Sequence, residues 1–275
     1  MIVTPTRAQR IPGLLRRGLA AGLASLPLAA ASLAAQATPP DAPVAVREGR
    51  ALRIGIIGAG NMGGPLGLAW ARAGHQVLYS SRNPDQLMDL VRAAAPRASA
   101  GYPDAAAFFG DVILLAVPPS AVEQIGRDYG HLMRGKIVID ITNPRADRDG
   151  AEPTARWLEM GTGLAMAQYL PGTRLVKAFN TLSARMLENP APGGERIGVP
   201  IAGDDPEARE VVAALVRDVG FEPVIVGPLA RAKEFDRGTR VWVTGMTARQ
   251  VREALGAEQL NLYGVSYGTR LAQVY

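Results

Sequence analysis

Leu52 to Pro84 reads LRIGIIGAGNMGGPLGLAWARAGHQVLYSSRNP, and the fold turns on this stretch. It opens on an apolar run, Ile54 to Ile57, short enough for a buried parallel strand. Gly58-Ala59-Gly60-Asn61-Met62-Gly63 follows, a G-x-G-x-x-G at the strand's end. Leu66, Ala69 and Trp70 recur at helical spacing, Gly74 stops the helix, and Gln76 to Ser80 reads as a second strand. Strand, glycine turn, helix and second strand form the setting a dinucleotide-binding motif requires. In that setting Gly58 permits the tight turn, Gly60 lets the backbone approach a pyrophosphate, and Gly63 lets helix and strand pack closely. The helix N-terminus offers N–H groups and a positive dipole end to the phosphates. A purely structural glycine turn is the competing reading, and the agreement of four elements speaks against it.

The end of the second strand bears on cofactor choice. An NAD enzyme usually places Asp or Glu there to hold the ribose 2′-hydroxyl. This chain has Ser80-Ser81-Arg82-Asn83, with no carboxylate to repel a 2′-phosphate. Ser81 can donate a hydrogen bond and Arg82 can pair with the phosphate. NADP is therefore expected over NAD, against the alternative of a solvated loop arginine.

Further apolar runs follow at Val112–Val117, Ile137–Ile141 and Arg174–Ala178. They end in Pro118-Pro119, Thr142-Asn143-Pro144 and Phe179-Asn180-Thr181. Ligands of open parallel sheets bind at the carboxyl ends of strands, so these ends are expected to line one crevice beside the glycine loop. Pro118 is a candidate on the cofactor side, and Asn143, Pro144, Lys177 and Asn180 on the substrate side. Lys177 reads as a base, a phosphate contact or a buried ion pair. Asn143 and Asn180 either orient a ring system or bond local backbone. Pro200–Ala202 and Glu222–Val226 read as strands flanking an amphipathic helix, Asp204–Val219. The expected fold class is α/β, a Rossmann-type doubly wound parallel sheet with a small C-terminal α/β extension. The nucleotide domain is expected over residues 51–182.

Composition narrows the function. The 275 residues hold no cysteine, which excludes disulfides, thiolate metal sites and thiol nucleophiles. Two histidines make a histidine-rich metal site improbable, and no metal is expected. His75 falls in the turn before the second strand, and His131 in a Gly-flanked surface loop. Neither suits acid–base work in the crevice, so no catalytic residue is assigned. Four of the five excess positive charges are Arg7, Arg10, Arg16 and Arg17, in a stretch without acids. There is no basic stripe with interleaved aromatics, hence no nucleic-acid footprint.

Those arginines head an N-terminus with the order of a secretory signal peptide. Arg16-Arg17 precedes the uncharged, Ala- and Leu-rich Gly18–Ala37, which closes on Ala35-Gln36-Ala37. The twin arginine suggests the twin-arginine route and an exported, periplasmic product. An uncleaved anchor or a cytoplasmic protein is the alternative. Residues 38–50 read as a linker.

IGIIGAGNMGG, SSRNP, DVILLAVP, VIDITNP, LVKAFNT, PIAGDDPEA and VGPLARA occur in this order between residues 52 and 240. Together they resemble the NADPH-dependent reductases of a deazaflavin coenzyme, coenzyme F-420. The unit is also similar to the cytoplasmic reductase domain of the six-transmembrane metalloreductases, and more distantly to pyrroline-5-carboxylate reductase. The resemblance implies cofactor contacts at Ala59, Gly60, Asn61, Met62, Ser81, Arg82, Val117 and Ala178. It implies hydride transfer between NADPH and a planar redox partner, coenzyme F-420 or a flavin, under a small covering lobe at residues 183–247. Some members carry a lysine for the 2′-phosphate where Gln86 stands here. A flavin or ferric reductase and a non-enzymatic NADP-binding module are the alternatives. The partner is expected to be a small molecule, with no stable membrane insertion after cleavage, and a homodimer is left open.

Residues 248–275 read as a separate tail. Val251 to Tyr275 resembles the nucleophile elbow of proline-iminopeptidase-like α/β-hydrolases, with Ser266 in Gly264-Val265-Ser266-Tyr267-Gly268. That chain order needs a histidine and an acid after the serine. The following residues hold neither, so a serine hydrolase is not expected.

Overall fold

The computed structural model describes residues 51–257. The signal-like segment 1–37, the linker 38–50 and the elbow around Ser266 lie outside the described residues. Among those described, no helix is long and apolar enough to cross a membrane.

Eight strands form one sheet: β1 (Arg53–Ile57), β2 (Gln76–Ser80), β3 (Ala98–Gly101), β4 (Val112–Leu115), β5 (Ile137–Asp140), β6 (Arg174–Lys177), β7 (Gly198–Gly203) and β8 (Glu222–Gly227). Their spatial order is β3-β2-β1-β4-β5-β6-β7-β8. The first six run parallel, β7 is antiparallel to β6, and β8 is parallel to β7. The order reverses between β1 and β4, the switch point where a doubly wound sheet opens its crevice.

The strands are short apolar runs because both faces are covered, and alternate residues serve different cores. Ile54, Ile56, Leu114 and Ile139 face one core, with Leu66 and Trp70 of α1 (Gly63–Arg72). Ile57, Ile113, Leu115 and Val138 face the other. The connecting helices on the way to β6 are α2 (Met88–Ala93), α3 (Pro103–Phe109), α4 (Val122–Met133), α5 (Ala146–Asp149), α6 (Ala151–Met160) and α7 (Thr162–Ala167). After β6 come α8 (Ala184–Glu188), α9 (Pro206–Asp218) and α10 (Ala248–Leu255).

Trp70 ties the first core together. It is fully buried, its Nε1 donates to Leu215 O of α9 at 2.9 Å, and its ring meets Phe179 edge-on at 5.9 Å. A buried indole needs this acceptor, and the edge-on contact suits the ring quadrupoles. His75 acts nearby as a strut. Its Nδ1 accepts from Leu52 N at 3.1 Å and its Nε2 lies 3.0 Å from Asp218 at the end of α9. His131 sits within α4 and is exposed, rather than in a loop: Gly130 is tolerated mid-helix, where it is buried.

Two boundaries differ from expectation. Residues 183–247 do not stand apart as a lobe: β7 and β8 continue the same sheet, and α9 packs on its first core. Residues 248–257 belong to this unit as well. Thr247 and Gln250 form a reciprocal capping box at the start of α10, and Gly256 closes it in the left-handed region at φ 57°. Gly198 N donates to Met246 O at 2.8 Å, and Arg231 Nη2 to Leu255 O at 2.6 Å, which hold the helix against β7 and β8.

Candidate cofactor and acceptor site

The glycine loop has two crowded positions and one open one. Gly58 adopts φ 101°, and a Cβ there would lie 2.4 Å from Ala116 O. A Cβ on Gly63 would lie 2.1 Å from Gly58 O, so helix and turn touch backbone to backbone. Gly60 has nothing within 4 Å of its would-be Cβ and is exposed, with Asn61 beside it. Ala59 and Met62 are half-buried. No side chain caps α1 and no acid occupies its first turn, which leaves the amide end of the helix to an anion.

At the end of β2, Ser80 is buried and donates to Ile56 O at 2.7 Å. Ser81 Oγ accepts from Asn83 N at 3.0 Å, which holds the turn and keeps the hydroxyl proton for another acceptor. Arg82 is exposed and makes no ion pair among the described residues. After β4, Val117 is half-buried and Pro118 exposed beside Gly58, whose would-be Cβ lies 3.0 Å from Val117 Cγ1. Ala178 is fully buried, so a contact there is confined to its backbone.

The β5 and β6 ends are built differently. Lys177 and Asp140 are fully buried and paired, Nζ to Oδ2 at 3.0 Å. Lys177 also donates to Thr142 O at 2.6 Å, and Asp140 Oδ1 accepts from Thr142 N at 2.7 Å. Of the readings of Lys177, the geometry selects the buried ion pair: its ammonium fixes the Thr142-Asn143-Pro144 turn and faces no open space. Asn143, half-buried above buried Pro144, donates through Nδ2 to Asn180 O at 2.7 Å. Asn180 donates in turn to Phe235 O at 3.0 Å. Each Oδ1 is left buried and without a hydrogen-bond partner among the described residues.

Asp149 braces this turn against the β4 end. It accepts from Ser120 Oγ at 2.8 Å, from Arg145 N at 2.9 Å and from Arg148 Nη2 at 2.7 Å. Burial pushes its carboxyl up, and these donors outweigh it, holding it below the usual carboxylate range.

Residues 236–243, which carry no motif or periodicity, close over the end of β6. Val243 N donates to Thr181 O at 3.0 Å. Asp236 is buried and accepts from Thr162 N at 2.7 Å. Burial raises its carboxyl above the usual range, opposed by the charge of Lys177. Arg237 lies over the ring of Trp242, 4.6 Å from its centroid. Trp242 Nε1, Thr239 Oγ1 and Thr181 Oγ1 are buried without partners among the described residues. Buried polar groups are ordinarily paired, so such a cluster marks a place for a ligand or ordered water. Among the described residues, no acidic or histidine cluster is suited to a metal ion.

Residues 53–144 match the family model described as NADP oxidoreductase, coenzyme F420-dependent. Metalloreductase STEAP3 of Rattus norvegicus is 29% identical over 184 residues, 67% of this chain. Metalloreductase STEAP2 of Mus musculus is 28% identical over 191 residues, 70% of this chain. The chain spans 36% of the length of each of these relatives. Among solved structures, a hypothetical protein from Sinorhizobium meliloti aligns with a TM-score of 0.60 at 26% identity, over 72% of this chain and 96% of that one. A protein from Arthrobacter, described as a putative F420-dependent NADP reductase, shares the fold with a TM-score of 0.56 at 24% identity. It covers 66% of this chain and 87% of its own.

Proposed function

We propose that this chain, whose residues 53–144 match the family of coenzyme F420-dependent NADP oxidoreductases, transfers hydride between NADPH and a planar acceptor, a deazaflavin or a flavin. The observation that carries the reading is the glycine loop, closed at Gly58 and Gly63 and open at Gly60, beside a β2 end without a carboxylate. When bound, NADPH would supply the hydride, and a further proton would come from water.

The residues of this chain position and shield. Backbone at Ala59, Gly60, Asn61 and Met62 would hold the pyrophosphate. Ser81 and Arg82 would hold the 2′-phosphate. Val117, Pro118 and the Ala178 backbone would line the nicotinamide end. The Lys177–Asp140 pair sets the turn that presents Asn143, and Asn143 and Asn180 each offer an unpaired carbonyl oxygen to an N–H of the ligand. No acid–base side chain is required, because hydride transfer to a ring asks chiefly for orientation and exclusion of water.

The test of the cofactor is Arg82→Ala. It should weaken NADPH by about 1.5–3 kcal/mol, the size of a hydrogen bond to a charged group, and leave NADH unchanged. Equal affinity of the unmodified protein for the two nucleotides would sink the NADP assignment.

The two metalloreductase relatives favour a second reading, a flavin or ferric reductase. Turnover of NADPH with deazaflavin, flavin and ferric acceptors separates the two, and turnover with none of them leaves a non-enzymatic module. Export rests on the order of residues 1–37, and a mature periplasmic protein starting at Thr38 is the expected product. A full-length cytosolic protein would reject it.

A further inference from the structure

We infer that Arg237 and Trp242 form an anion-recognising wall of the acceptor site, selecting a planar acceptor that carries an anionic arm. The inference rests on the acceptor reading above.

Position comes first. Residues 236–243 are stapled over the carboxyl end of β6 from both sides, by Asn180 Nδ2 to Phe235 O and by Val243 N to Thr181 O, each at 3.0 Å. Among the described residues, the non-glycine residues with positive φ are Phe179 at 59° and Val243 at 53°. They flank this staple on its two strands of chain. A β-branched residue in the left-handed region is a true outlier, and such strain persists where the surroundings over-determine it, characteristically at ligand sites.

Chemistry comes second. The guanidinium of Arg237 lies over the face of the Trp242 indole, 4.6 Å from its centroid, on an exposed side chain whose N–H groups can meet an anion. The indole Nε1 is a buried donor with no acceptor among the described residues. Around it, Arg145 is paired with Asp147 and Arg148 with Asp149. Arg237 and Arg240 have no ion pair among the described residues. Asp147 of α5 is held below its ordinary range, first by the Arg145 hydrogen bond and least by the charge of Arg237, which is thus within Coulomb reach of α5. The segment therefore brings together a cation held over an indole and a buried N–H donor without a partner among the described residues. A phosphate or carboxylate answers both; a neutral sugar-alcohol arm answers neither.

The test is equilibrium titration of the full-length, NADP-saturated protein with FMN and riboflavin, and with their 5-deaza analogues. Within each pair the ring is constant and only the phosphate differs. The phosphorylated member should bind at least about tenfold tighter, as expected for one hydrogen bond between charged groups. Arg237→Gln should bring its affinity down to that of the neutral member, which itself should not change. Trp242→Phe, which keeps the ring and removes the N–H, should weaken the phosphorylated member alone, by a few-fold. Binding of NADP measured separately on each variant should be unaltered. The inference is overturned if no flavin or deazaflavin binds, if the members of a pair bind equally, or if the preference survives Arg237→Gln. Failure of NADPH binding in the unmodified protein would instead strike the cofactor reading on which all this stands.

Discussion

At the glycine-loop half of the crevice, what faces a ligand is backbone, or an exposed side chain at a turn. At the β5–β6 half it is side chains: two linked asparagines set by a fully buried Lys–Asp pair, two strained residues, and an exposed arginine over a half-buried tryptophan. The first half works by having nothing in the way at Gly60 and no room at Gly58 and Gly63. The second fills space with polar groups that hold one another and leave selected atoms without partners among the described residues. A phosphate chain is common to all dinucleotides and can be met by generic amides. An acceptor is particular, and only side chains discriminate.

Breaking the buried half should have the largest effect. Lys177→Met strands the Asp140 carboxylate in the core and should cost about 3–5 kcal/mol of stability in chemical denaturation. The double variant with Asp140→Leu should recover much of it. A single-variant loss under about 1 kcal/mol would mean the pair is not structural.

The glycine half sharpens the contrast through two similar changes with opposite signatures. Gly63→Ala forces a methyl group against Gly58 O and should cost about 1–3 kcal/mol and abolish NADPH binding. Gly60→Ala meets no neighbour and should fold with stability within about 0.5 kcal/mol of the parent, yet bind NADPH more weakly. Equal stability losses at both positions would erase the distinction drawn from their surroundings.

The smallest effect is a pH dependence at Asp236. Its folded carboxyl is raised, mainly by burial. The stabilising, protonated state is thus fully present below the ordinary value of about 3.9 and lost as pH rises through the folded value. Asp236→Asn keeps a carbonyl for Thr162 N and removes that slope. The variant should gain on the parent in melting temperature as pH rises from acid to neutral. Parallel profiles would show that Asp236 does not titrate in this range.

Legibility in the sequence followed the same division. Short continuous apolar runs mark β1, β4, β5 and β6 nearly to the residue, and β2 follows from its place after the first helix, because buried parallel strands are continuous hydrophobic text. The strand Ala98–Gly101 escaped notice, since small residues at a sheet edge carry no such signal. The Thr247–Gln250 capping box was written in the sequence, but a second resemblance drew residues 248–257 into a tail that the packing of α10 does not support. Asn143, Lys177 and Asn180 were visible as polar residues at strand ends, though not what each would bond. Residues 236–243 have no periodicity and no motif. Their importance comes from where the chain is carried after β8.

That route has a consequence for the order in which the protein is made. Because β7 reverses direction and β8 follows it, both strands end at the edge opposite the crevice. The chain must then run back along Leu229–Phe235 before residues 236–243 arrive over β6. Every group of the nucleotide half has left the ribosome by Ala178, whereas the facing wall is about sixty residues behind, an interval of several seconds at about 5–20 residues per second. On the function proposed above, the nascent protein would have its nucleotide site spelled out while its acceptor site is still a sentence without an ending.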